Sequence, residues 1–482
     1  MKKRILQFTL AVMLLISMTA CENENSIKIT LSESAVTVTQ YDEYTLTASV
    51  VNSSQKVKWG VDSGNIELVA DGNSVTIAGI TPGEYNVTAT IDKVVSACRV
   101  TITSLPQDPY AVDVEVKHLG KADGSGLSYN ASVLLGGASV SSVGVYDISG
   151  ILVCDISDKY DSAAKQLTLS EAELEDIGLG EHTIKFACGQ EYKSFALTIA
   201  TLLIDTYDKF TSKETGMPSF WTNERINTDP LKDGYFILRR DIDFKDKPAF
   251  AMNTNGDGIS GMPAGPNEYE NSWFGTFDGR GHAAKNITVD RYGIFAHIGI
   301  GAVVKNFGVI NGSISVPSGN MGWLFSFGMD GLIDNCYAEL TEFPNVSETA
   351  IFCRQLRRGG KITNSIAAVK IQDASGYAAA HAAVTHHSGG DNAYISNMYL
   401  LRRGEQNKAV GNFTSDKQGV WGAFEFSSDL INAVKRRYYE QFEGTSPQSA
   451  SFDGFNTECW SIDNGGSGQI YFGSHIVFDA EK

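Results

Sequence analysis

After its first twenty residues the chain has no apolar run long enough to cross a bilayer, which takes about 20 residues, so the rest is expected to fold in water. Basic residues are scarce: 39 Lys and Arg stand against 56 Asp and Glu, a net charge of −17. That balance argues against general nucleic-acid binding and for an acidic, solvated surface. No two cysteines stand at CxxC spacing, which leaves zinc ribbons and haem attachment unsupported. GxSxG, HExxH and a phosphate-cradling glycine loop are also missing. Carboxylates paired for glycoside hydrolysis are not evident either.

What is present begins with Lys2, Lys3 and Arg4, followed by an apolar stretch over residues 5–18 and the small pair Thr19–Ala20. This is the layout of a cleaved secretory signal over residues 1–20. The string "SMTAC" resembles the lipobox of Gram-negative lipoproteins, with Met18 where leucine is more usual. The resemblance implies cleavage before Cys21, lipidation of Cys21 and an outer-membrane protein held by its lipid. Residues 21–26, "CENENS", then form a polar, acidic tether that resembles the export signals sending some such lipoproteins to the cell surface, which implies an outward-facing protein. Removing the three basic signal residues takes the net charge from −17 to about −20. Export permits disulfides. Cys154 and Cys188, which both end strand-like runs, are the first pair to test, with buried free thiols as the alternative.

The 48 glycines and many β-branched residues predict an all-β fold with frequent turns. Residues 27–104 alternate as short strands: Tyr44, Leu46, Ala48 and Val50 share one face, and Tyr85, Val87, Ala89 and Ile91 another. Trp59 stands where a sandwich would bury an aromatic. The order "YTLTASV", "VKWGV", "SVTIAGITPGEYNVTATI", "CRVTI" resembles the bacterial Ig-like family, whose members act as spacers or adhesion modules. Beyond "SLPQDPY", residues 108–200 read as a second Ig-like β-sandwich interrupted by a helical insert over Ser170–Asp176. Residues 201–230 read as a helical connector.

Residues 231–482 carry a repeat. "VVKNFGV", "LIDNCYA", "KITNSIA" and "YISNMYL" place Asn306, Asn335, Asn364 and Asn397 at spacings of 29, 29 and 33 residues. Two strands per period with an asparagine turn in register predict stacked coils. Asparagine tolerates left-handed backbone and can bond to the next coil. "GYFILRRDIDF", "WFGTFDGRGHAAKNITV" and "GIFAHIGIGAVVKNFGVING" resemble the opening of the GLUG-motif proteins, and "CWSIDNGGSGQIYFG" resembles their closing strand. The resemblance implies a right-handed parallel β-helix, a fold that serves both lyases and inert shafts. A helix is expected to be inserted near residues 427–442.

Arg354, Arg357, Arg358, Lys361, Lys370, Arg402, Arg403 and Lys408 face only Asp373, Asp391 and Glu405, which makes this window about +5 in an acidic chain. The coil repeat is expected to bring Arg357, Arg358 and Lys361 near Arg402 and Arg403. Forked guanidinium groups suit carboxylates and sulfates; a run of charge is more often a solvated rim. Alternation puts His297 with Phe295, Phe325 with Phe327, and Arg354 with Phe352. An outward face would offer rings for stacking sugars, and an inward one is a stacked core. His381, His386 and His387 lack an evident third metal ligand. Asn253, Asn255 and Asp257 echo a calcium loop whose twelfth position is Ala264 instead of glutamate. Asp330 and Asp334 are too thin a basis for a calcium cradle.

The sequence therefore predicts a surface lipoprotein that binds an extracellular polymer, an acidic glycan, through its β-helix, with Arg354, Arg357, Arg358, Lys361, Arg402, Arg403 and His297 as ligand-binding residues. No catalytic residue, metal or cofactor is assigned, and the membrane is met only through the lipid. The alternatives are a polysaccharide lyase or glycoside hydrolase on the same helix, and a protein adhesin or structural surface protein.

Overall fold

Runs of β-branched and aromatic residues, broken by glycine and asparagine turns, make this an all-β protein; the described residues contain three short α-helices. The computed structural model describes residues 26–64, 66–105, 108–116, 126–211, 234–250, 273–289, 293–295, 297–315, 321–342, 348–356, 358–371, 380–387, 394–402, 408–413, 419–425, 455–462 and 470–478. The signal segment, Cys21, the loop carrying Asn253, Asn255 and Asp257, Arg357, Arg403 and the helix expected near 427–442 lie outside them. The chain divides into two units, Met1–Pro106 and Gln107–Lys482.

The first unit is a sandwich of two four-stranded sheets. Alternation drives it: Leu46, Tyr85 and Val87 are buried in one cluster, and Ala48, Ala89 and Ile91 in a second. Trp59 is half-buried and packs against both clusters.

The second unit opens with another sandwich, three strands facing five. The expected helical insert forms as Glu171–Ile177. Ser170 caps it by accepting from the Glu173 N–H, while Glu173 accepts in return from the Ser170 N–H at 2.7 Å. Cys154 and Cys188 are half-buried free thiols. Strand Ser142–Asp147 lies between their strands, with Val145 beside both Cys154 and Ile184. Two strand spacings, about 10 Å, exceed the roughly 7 Å that a disulfide spans between α-carbons. Cys188 also lies four positions beyond Ile184, so the pairing considered from sequence is not made.

The rest of the second unit is a parallel stack. The column Phe277, Val304, Ile333, Ile362 and Ile395 joins successive rungs residue by residue, and each member is fully buried. The 29-residue period from Ile333 to Ile362 is thus one rung of the stack. It holds three β segments where two were expected: Leu332–Asp334, Tyr337–Glu342 and Glu348–Leu356. Asn306, Asn335 and Asn364 turn the chain with φ of 55°, 51° and 48°, a region closed to most L-residues. They do not bond to one another. The Asn306 and Asn364 amides donate to Asp278 and Asp334 at 3.0 and 2.9 Å, and Asn335 donates to Asp334 at 2.9 Å. Asn397 falls inside strand Tyr394–Arg402.

The connector expected over 201–230 begins instead as strand Leu202–Ile204, which pairs in parallel with Tyr235–Leu238 and is the first rung. Four residues of helix, Tyr207–Phe210, follow, and Phe210 packs on Phe244, Phe250 and Phe277. The second sandwich is bonded to these first rungs. Glu181 accepts from Lys305 Nζ at 2.7 Å and from the Tyr235 hydroxyl at 3.0 Å, and Arg280 donates to Thr198 at 2.8 Å. Burial works against the Glu181 charge, yet Lys305, Tyr235 and Arg280 together hold its carboxyl below the usual range.

A three-stranded antiparallel sheet, Trp460–Ile462, Ile470–Phe472 and His475–Phe478, straps the outer side of the stack. Gly308 has no side chain because Phe472 occupies the place: a β-carbon there would lie 2.7 Å from its ring. Tyr337 stacks on Phe472 with ring centres 6.2 Å apart. Asn456 bonds to the turn residues Asn306 and Asn335, and His475 Nε2 meets Asp241 at 2.7 Å.

Candidate functional site

Three successive rungs bring two of the expected ligand-binding residues to one corner. Ile298, Met329 and Leu356 are register neighbours, so the residues that flank them stack at the turns. His297 stands one position before Ile298, Asp330 one after Met329, and Arg358 two after Leu356. The His297 ring lies across Gly328, where a β-carbon would come within 2.3 Å of the ring. Arg358 has φ 52° and Gly359 φ 84°, a tight turn that ends before Lys361.

Asp330 holds the corner together. Its side chain is 1% exposed, and Oδ2 lies 3.7 Å from His297 Nε2 and 3.7 Å from Arg358 Nη1. A carboxylate taken out of water needs such compensation. The Arg358 side chain stays 30% exposed, so one part faces Asp330 and another faces solvent. Sequence reasoning set Asp330 aside as half of a thin acidic pair. Asp334 does not join it. Asp334 is instead bonded to Asn335, Thr363 and Asn364, and its neighbours satisfy it.

Arg354 sits on the same strand. Ile351, Phe352 and Cys353 are all buried, so strict alternation breaks there at a corner, and the Arg354 guanidinium emerges 5.8 Å over the Trp323 ring. The phenylalanines of this column face inward. Phe295, Phe325 and Phe352 are at most 1% exposed, with ring centres 5.9 and 5.3 Å apart along the stack. They are core and offer no face to a sugar.

Lys361 is exposed at the start of strand Lys361–Ile371, three positions after Arg358. Arg402 is not near it. Its strand lies beside that one with Tyr394 next to Lys361 and Leu401 next to Ala368. Tyr394 to Arg402 is eight positions, roughly 25 Å of strand, and the neighbouring strand bends at Asn364 between the two ends. The expectation that the coils bring Arg402 to Arg358 and Lys361 is therefore corrected: shared period places residues on the same strand, and register decides how far along it. His381 and His386 are five positions apart on strand Ala380–His387, beside Thr349 and Gln355, roughly 16 Å and too far for one ion. Among the described residues no three His, Cys, Asp or Glu side chains are grouped to hold a metal.

No family model matches the chain. No curated protein matches it either. Among solved structures, domains 1–6 of the surface layer protein SbsC are 12% identical over 36% of this chain, with a TM-score of 0.15. The chain spans 25% of that structure's length. Domains 5–6 of the same protein (11% identity, 36% of this chain and 96% of that one) and a chimeric titin Z1Z2 (11% identity, 36% and 95%) also score 0.15. At these scores the likenesses carry no argument about fold or function.

Proposed function

We propose that this chain is a surface lipoprotein anchored through Cys21. In this reading its two sandwiches are Ig-like and its parallel stack is a right-handed β-helix that binds an acidic extracellular glycan. The handedness follows from the near-universal right-handed crossover between parallel strands. The observation that supports the binding reading is a short cationic stretch: Arg354, Arg358 and Lys361 fall within eight consecutive residues of a chain whose net charge is −17, with Arg358 30% exposed and Lys361 exposed. Lys361 and the exposed part of Arg358 are the cationic groups that a sulfate or carboxylate would meet from solvent.

The test compares a sulfated polysaccharide with a neutral one of similar length. The sulfated polymer is expected to bind more tightly, and binding is expected to fade as salt rises from about 0.1 M to about 1 M. Arg354→Ala with Lys361→Ala is expected to weaken binding about tenfold while stability moves by less than about 1 kcal/mol. Arg402→Ala with Arg403→Ala is expected to do neither. Loss only in the second pair would move the site off this corner. Ultraviolet-absorbing unsaturated products, or new reducing ends, would make the chain a lyase or a hydrolase instead. The anchor is tested separately. Cys21→Ser is expected to move the protein from the detergent phase to the aqueous phase, and retention in detergent would remove the lipoprotein reading.

A further inference from the structure

The second sandwich exposes apolar side chains where its sheet stops. Strand Leu152–Asp155 is the edge of the five-stranded sheet, and among the described residues nothing pairs with its outer side. Ile148 is 82% exposed, Ile151 65%, Leu152 51% and Val153 42%, four large apolar groups within six positions. Isolated exposed apolar residues are ordinary; a cluster on a strand with open backbone groups marks a contact surface. The turn that presents it is firm, because the Asp147 carboxylate accepts from the Ser149 and Ile151 N–H groups at 2.9 and 2.8 Å.

Two further features say what kind of partner fits. First, the register slips between Val145 and Tyr146, which face Cys154 and Leu152, so Val153 is bulged. A bulge of this kind limits open-ended sheet growth and leaves a short stretch for pairing. Second, carboxylates bound the strand: Asp147 closes the turn before it and Asp155 ends it, with Asp158 and Asp161 following within six positions. Asp155 is held below the usual carboxylate range by the Ser157 hydroxyl and N–H, so it stays charged. Another copy of an acidic chain would meet like charge here.

We infer that strand Leu152–Asp155 is a docking edge for an extended peptide of alternating apolar and basic side chains, which joins the sheet as an added strand. Main-chain bonds supply the pairing, the exposed isoleucines and leucine cover the apolar side chains, and the acidic rim selects lysine or arginine. This surface lies on a different sheet from the glycan corner, and neither reading depends on the other.

The experiment uses the full chain and two short synthetic peptides, one alternating lysine with valine and the other glutamate with valine. The lysine peptide is expected to bind at least about tenfold more tightly than the glutamate peptide, and less tightly as salt rises. Val153→Pro, which puts a proline on the edge strand, is expected to cost at least about tenfold in affinity; proline is tolerated on edge strands. Ile148→Ser with Ile151→Ser and Leu152→Thr keeps the backbone and is expected to weaken binding similarly, which covers the case in which the proline variant misfolds. Equal binding of both peptides, no binding of either, or full binding by the triple variant overturns the inference. So does self-association in sedimentation that the triple variant abolishes, which would give the edge to a second copy.

Discussion

Phe325→Ala is expected to destabilise the stack by about 3–5 kcal/mol, the range for deleting a buried phenylalanine. Phe325 is fully buried and sits in the middle of the column, with ring centres 5.9 Å from Phe295, 5.7 Å from Phe307 and 5.3 Å from Phe352. Main-chain bonds between rungs hold this column: the Phe325 N–H donates to Ile351 at 3.0 Å, and the Phe295 N–H donates to Phe325 at 2.8 Å. The backbone ladder therefore resists the collapse that would refill the hole, and the cavity cost persists. Phe325→Leu keeps most of the volume and should cost less than about 1.5 kcal/mol. Denaturant unfolding checks both, read as a shift of midpoint at constant slope. A loss below about 1 kcal/mol for the alanine variant would mean that the rungs slide to repack.

Asp330→Ala is expected to cost about 2–4 kcal/mol, less than a fully buried pair because Arg358 keeps part of its solvation. The replacement leaves His297, whose side chain is 11% exposed, and Arg358 facing each other without the carboxylate between them. A double-mutant cycle with Arg358→Ala should show a coupling above about 1 kcal/mol; additive losses would sink the pairing. The same variant separates two roles for the corner. If Asp330 neutralises cations that a glycan also contacts, the variant should bind a sulfated polysaccharide more tightly than the parent chain at low salt. Unchanged binding would confine His297 and Arg358 to a structural role.

Much of this architecture was legible in the residues because its causes are local. An asparagine every 29 residues, two positions after Val or Ile, reports a left-handed turn after an inward side chain, and Asn306, Asn335 and Asn364 adopt that conformation. The capping box at Ser170 and Glu173 needs only four consecutive residues, so the helix it starts was readable too. Alternation likewise announced Leu46, Ala48, Val87 and Ala89 as core, because side chains on a strand point to opposite faces in turn.

What the sequence by itself determined is the all-β class, the turns at Asn306, Asn335 and Asn364 and the inward faces of the first sandwich, since each depends on the chain's own geometry over a few positions; the inward facing of Phe295, Phe325 and Phe352 was decided by the fold. Partnership between distant residues was decided by the tertiary structure alone. Strand Ser142–Asp147 separates Cys154 from Cys188, and no spacing in the sequence reveals an intervening strand. Arg402 shares a repeat with Lys361 yet lies eight positions along the neighbouring strand, beyond a bend, because register counts from the paired residue Tyr394. Asp330 gained its role when three rungs closed over it: burial removed the water that would otherwise have solvated its charge, and His297 and Arg358 became its compensation.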